Sequence, residues 1–313
     1  ANKKLTEAQY NNEINALNRN FQGFDGGNEF IDPHHDYSFD LDLYGNGSLF
    51  QFLNRTVTFQ GKKTLAAQLN QTGRSRAEIL QKQAAIQELA NNLEWRQFFL
   101  ASKNNAEEQT DPNQLTDIFK SSTSIKKAKF LKYLTITLPP LTLFLIFIQI
   151  AGIDPFSLYK LAILSQWIIM GVYIRTILKF HVQFENQGKV LNQYTEMLYH
   201  IETLTTNNEH LNALKEKLRY NEKTAGEITK ELGKLLNQFD YSKNILIGTI
   251  LDSLLLWDIK CMSKLNDWQQ KYTGVLPQWF EVIAEIDALI SLANFNYNHP
   301  IWAIPNVSDD SFI

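Results

Sequence analysis

Six side chains able to hold a metal or move a proton crowd into one stretch of the chain: Asp32, His34, His35, Asp36, Asp40 and Asp42 lie within FIDPHHDYSFDLD. Imidazoles with carboxylates can ligate a divalent cation or serve as acid and base, but either task needs a fixed geometry, signalled by a spacing such as H-x-x-x-H on a helix. The stretch lacks that spacing, and Pro33 biases Asp32 away from helical geometry, so it reads as an ordered loop. Gly61-Lys62-Lys63-Thr64 has the ending of a phosphate-binding loop. The position five before Gly61 is Thr56, however, and no apolar strand leads into it, which excludes a nucleotide site there. Gly45, Gly47 and Ser48 miss the spacing of a nucleophile elbow. No residue is assigned a catalytic, cofactor-binding or metal-ligating role.

Other residues could take part in binding. Lys126, Lys127, Lys129 and Lys132 form a small basic patch, able to meet phosphates of a nucleic acid or lipid headgroups by the same charge attraction. Thirty Lys and Arg against 33 Asp and Glu give a net charge of -3, so there is no overall positive field and any DNA contact has to be local. Trp257, Trp268, Trp279 and Trp302 could stack on bases, but three of them sit in helical segments with apolar neighbours, which favours core packing. The single Cys261 is a core candidate; it rules out an intrachain disulfide and a thiolate zinc cluster and fits a reducing compartment. The first 21 residues lack the apolar stretch of a secretory signal, so a cytoplasmic location is expected.

The elements that must position these groups are helices. Fourteen Gly and 8 Pro in 313 residues are too few for the closely spaced turns of a sandwich or barrel, and 44% apolar residues suffice for a substantial core. The expected fold is all-α, a helical bundle. A thin apolar stripe (Leu5, Tyr10, Ile14, Leu17) predicts a first helix. Ser48 caps a short second one, Thr58 caps a third from Phe59 to Leu69, and the Ser75/Glu78 capping box starts a fourth, Ile79 to Leu100. Helical periodicity returns from Val190. One long helix is expected through Leu251, Met262, Trp268 and Tyr272, and another from Pro277 until Asn298-His299-Pro300.

Between Lys132 and Arg175 lies a hydrophobic hairpin. Its first arm, Tyr133 to Ile153, has 21 residues without a charge, long enough to cross a bilayer, which takes about 20; the second, Leu161 to Ile174, has 14. Asp154-Pro155 breaks the two arms apart, and Pro139-Pro140 is expected to kink or interrupt the first. Basic residues outside both ends fit a hairpin whose ends share the cytoplasmic side, with residues 133–174 in a membrane. A buried helix pair or an oligomer contact is the alternative. The expected organisation is an N-terminal helix and loop (1–37), a first helical segment (38–125), the hairpin insertion (126–180), a second helical segment (181–305) and a short C-terminal tail (306–313).

The run DLDLYGNGSLFQFLNRTVTFQGKKTLAAQL, Asp40 to Leu69, with ILQKQAAIQELANNLEWRQ, Ile79 to Gln97, closely resembles the start of the core domain, domain III, of the MutS family of DNA mismatch-repair ATPases. The turn Leu53-Asn54-Arg55-Thr56-Val57-Thr58 followed by Gly61, and the register Lys82-Gln83-Ala84-Ala85-Ile86-Gln87-Glu88-Leu89, carry the likeness. IDALISLANFNYNHP, Ile286 to Pro300, resembles the family's return helix. The resemblance covers both ends, Ser38 to Ala101 and Leu251 to Pro305, while the hairpin stands where mismatch-repair members carry a DNA clamp, as in a divergent membrane-type branch.

The resemblance implies an all-α domain III-like bundle, with 38–125 the first half of the core, 181–305 its long lever and return helices and 306–313 a connector. Such a bundle is a noncatalytic core and lever module that couples nucleotide state to DNA or partner binding. ATP and magnesium would sit in an ATPase domain beyond this fragment, and DNA, that domain and a second copy of the chain would be its partners. It further implies that Asp40 to Leu69 packs against the helices between Leu251 and Phe295. The alternative from a different class is a membrane-associated helical scaffold that binds a protein partner. A hydrolase built on His34 and His35 is a third class.

Overall fold

Capping chemistry sets the helix starts where the sequence places them. In the computed structural model, which describes residues 2–102, 116–117, 128–153, 156–184, 187–241 and 245–307, α2 (Leu49–Leu53), α3 (Phe59–Asn70) and α4 (Arg76–Asn91) follow α1 (Asn2–Leu17). Ser48 accepts from the Gln51 N–H, Thr58 from the Gly61 N–H, and Ser75 and Glu78 satisfy each other's backbone N–H in a full capping box. The remaining helices are α5 (Leu93–Ala101), α6 (Ala128–Ile150), α7 (Tyr159–Phe184), α8 (Gln187–Glu202), α9 (Glu209–Glu216), α10 (Ala225–Asp240), α11 (Ile245–Leu255), α12 (Trp257–Tyr272) and α13 (Leu276–Asn298). Helices make up 72% of the described residues, and the sheet structure among them is one two-residue antiparallel pair, Arg219–Tyr220 with Lys223–Thr224. The fold is all-α.

Two expected helices are each divided. The run from Ile79 to Leu100 breaks at Asn92, whose φ of -101° and ψ of 66° leave helical geometry, so α5 restarts in a new direction. The run through Leu251 and Tyr272 breaks at Leu256, a non-glycine residue at φ 48°. Its side chain is fully buried, and the Asp258 N–H beyond it donates to Asp252 Oδ1 at 2.9 Å, so packing and a local hydrogen bond hold a conformation that costs a branched side chain energy. The stripe on α1 also departs from expectation: Tyr10, Ile14 and Leu17 are exposed, and Ala16 is buried instead.

The chain divides into two units: residues 1–112, 193–226 and 277–313 form the first, residues 113–192 and 227–276 the second. In the first, Leu43, Tyr44, Phe50, Leu65, Ala66 and Ala288 make a core cluster in which the N-terminal third and the last helix share one interior. Tyr44 also donates to the Ala66 carbonyl, and burial pushes its phenol up to about 12. In the second, α6 and α7 pack antiparallel on each other and on α11 and α12. The α6 helix runs through Pro139 and Pro140, and the expected interruption there is absent; Thr142 returns its hydroxyl to the Leu138 carbonyl one turn back. Cys261 is buried in this unit, as are Met262, Leu265 and Trp268.

Candidate functional site

The largely apolar return helix α13 carries a row of four polar side chains, Asp287, Ser291, Asn294 and Asn298, spaced by four, three and four residues. That spacing puts all four on one face. The first three are buried, a position polar groups hold only when hydrogen-bonded. Each finds partners from far away in the sequence. The Asp287 carboxylate accepts from the Val57 N–H at 3.1 Å, the Thr58 N–H at 2.8 Å and the Thr58 hydroxyl at 2.7 Å. Ser291 accepts from the Arg55 N–H at 2.7 Å and donates to the Leu53 carbonyl at 2.8 Å.

These bonds explain why residues 54–58 are extended between α2 and α3. The N–H groups of Arg55, Val57 and Thr58 have no helical partner of their own and are paired by a neighbouring helix instead, while that of Thr56 is taken by the Asn54 side chain. Gly61 makes the approach possible: a Cβ there would stand 2.1 Å from Asp287 Oδ2, so the first turn of α3 lies directly on the carboxylate.

The lower half of the row joins three more segments. Asn294 and Asn298 donate to Glu13 of α1 at 2.8 and 2.9 Å, and Glu13 in turn pairs with the Arg55 guanidinium at 2.6 Å. Burial lowers the Arg55 pKa and Glu13 raises it, the first effect being larger. Arg96 of α5, fully buried, donates to Asn294 and to the Ala90 carbonyl and lies over the Tyr297 ring; burial takes its pKa down to about 10. On another face of α13, two residues before Asp287, Glu285 faces Lys82 at 2.8 Å, His210 at 3.7 Å and the Gln68 amide at 3.0 Å. Burial alone would raise that carboxyl, but His210 and Lys82 together outweigh it and bring it to about 2. Such an arrangement binds helices together through buried, hydrogen-bonded polar groups.

The groups singled out in the sequence are placed otherwise. Asp32 accepts from the His34 N–H, and His35 Nδ1 from the Ser38 N–H at 3.2 Å, so these side chains shape turns; among the described residues no three His, Cys, Asp or Glu side chains converge on a metal position. Lys62 of the Gly61-Lys62-Lys63-Thr64 run is held by Asp25 at 2.7 Å and by Glu29, and the Gly61 N–H is taken by Thr58, so this turn does not fit a triphosphate. Trp268 and Trp279 are core residues, whereas Trp302 is exposed and stacks on His299. Lys132 pairs with Asp267 at 2.6 Å on the surface, Lys129 lies in the first turn of α6, and Lys126 and Lys127 fall outside the described residues.

Thr58 and Asp287 thus clasp two stretches 229 residues apart. A family model, MutS domain III, matches residues 35–293, a span that takes in both partners. The chain belongs to the MutS domain III family. The match also runs through the middle of the chain, so in this MutS domain III the hydrophobic hairpin lies inside the matched span. Neither the curated proteins nor the solved structures contain a match to it. Domain III is a noncatalytic, all-helical part of MutS, in keeping with a site made of positioning contacts.

Proposed function

We propose that this MutS domain III serves as the stiff relay of a MutS-like mismatch-repair ATPase, passing the nucleotide state of a separate ATPase domain to a DNA- or partner-binding surface. ATP and magnesium belong to that other domain, and DNA and a second copy of the chain are the partners the family suggests. The observation that carries the reading is the row on α13. Buried hydrogen bonds tie the 53–58 segment, α1 and α5 to one 23-residue helix, so a displacement at the end of that helix moves three segments together. The test is the full-length protein with Ser291→Ala, which removes one pair of bonds and leaves the fold. ATP hydrolysis should persist, while the nucleotide-dependent change in affinity for mismatched over matched duplex, titrated at two salt concentrations, should shrink several-fold. An unchanged nucleotide dependence would sink the relay.

A second reading is favoured by a separate observation. Exposed apolar side chains cover the outer faces of α6 and α7, which suits attachment to the cytoplasmic face of a membrane.

A further inference from the structure

We infer that the hairpin of α6 and α7 crosses a lipid bilayer twice, with both of its ends on one side and the turn between the helices on the other; this rests on the membrane reading above and adds the topology. Length comes first. Phe130–Ile150 and Tyr159–Val182 are helical stretches of 21 and 24 residues, each only 17% buried, against the roughly 20 residues that span a hydrocarbon core of about 30 Å.

The distribution of exposure identifies the occupant. At about 100° per residue, the exposed positions of α6 from Ile136 through Phe144 and Phe147 to Ile150 sweep about half of the helix circumference. Those of α7, such as Leu164, Ile168 and Val172, sweep a similar arc. A second protein copy would cover one side of such a hairpin. A solvent-like apolar phase covers both outer arcs at once, and at the ends of the two arms nearest each other Ile153 and Phe156 are 69% and 82% exposed.

Polar groups are arranged to match. Between Tyr133 and Ile153 there is no charge, and between Leu161 and Ile174 there is none. Gln166 points into the seam and donates to the Thr142 hydroxyl, both side chains being fully buried. Thr137 and Ser165 return their hydroxyls to the carbonyls of Tyr133 and Ala162, so they need no partner from outside. Cations mark the boundaries: Lys132, Arg175 and Lys179 at the open end, Lys160 beside the turn. The 14 uncharged residues of α7 rise only about 21 Å, and Lys160 and Arg175, reaching outward along their apolar stems, make up the difference.

The test uses the full chain expressed in bacteria, carrying Cys261→Ala to remove its one thiol. Alkaline carbonate washing of the membranes should leave the chain in the pellet. Phe144→Lys combined with Ile168→Lys, placed in mid-span, should release most of it, with circular dichroism checking that helix content is kept. Single cysteines, Leu158→Cys near the turn and Lys179→Cys at the open end, are then exposed to a membrane-impermeant maleimide in sealed vesicles of both orientations. The two sites should label from opposite sides, each at least tenfold faster in one orientation. Recovery of the wild-type chain without detergent, as a monomer or discrete dimer, overturns the membrane reading and the topology together. A chain that resists carbonate but labels at both sites from the same side overturns the double crossing alone.

Discussion

The row on α13 and the hairpin of α6 and α7 invert each other. Around Asp287 the molecule hides dipoles and charges inside an apolar surround and satisfies them with hydrogen bonds from distant segments. Around Phe144 and Ile168 it turns apolar surface outward and keeps its few polar atoms in the seam. The difference teaches where each unit obtains its order. In the first, directional bonds fix which segments meet and in what register, because an unpaired buried group is costly. In the second, the hairpin's order rests chiefly on apolar packing against its neighbours, with the Gln166–Thr142 hydrogen bond inside its seam.

The largest blow to that contrast is Asp287→Ala. It strands the Val57 and Thr58 N–H groups without water and should cost about 4 kcal/mol, read as a fall in the denaturant midpoint. Acid attacks the same helix two residues earlier. Because the Glu285 carboxyl is at about 2 when folded against an ordinary 4.5, its contribution is complete above about pH 4.5 and is lost as the pH falls toward 2. The shift corresponds to about 3 kcal/mol. Glu285→Gln should flatten that part of the stability profile, and an unaltered acid limb would remove Glu285 from the account.

Gly61→Ala comes next, at about 2 kcal/mol in thermal unfolding, since the added methyl must push α3 away from the Asp287 carboxylate. The smallest effect belongs to the hairpin: Thr142→Val removes the acceptor of Gln166 and should cost about 0.6 kcal/mol in detergent or vesicles. A loss at Thr142 as large as that at Asp287 would erase the contrast.

Much of this was visible in the sequence. Ser48, Thr58 and the Ser75/Glu78 box start helices because capping is local chemistry, decided within four residues. The meeting of the Asp40 to Leu69 region with the last helix followed from the family likeness and is realised at Thr58 and Asp287. The breaks at Asn92 and Leu256 were hidden, since both residues are compatible with a helix and only tertiary packing bends the chain there. The four-residue row on α13 was legible in principle: Asp287, Ser291, Asn294 and Asn298 recur on one face of an apolar run. Periodicity read for apolar residues alone passes over it. The partners of the row, Glu13, Arg55 and Arg96, lie too far away in the chain for spacing to reveal them.

The clasp between Thr58 and Asp287 has a bearing on how the protein is made. A ribosome adding roughly 5–20 residues per second finishes Phe184 some 5–20 s before it reaches Asp287. For that interval the nascent N-terminal third exists without the helix that completes its interior, while an oily hairpin is already outside the exit tunnel. Translation therefore sets an order of events, in which the hairpin must find shelter first and the clasp can close only near the end of synthesis.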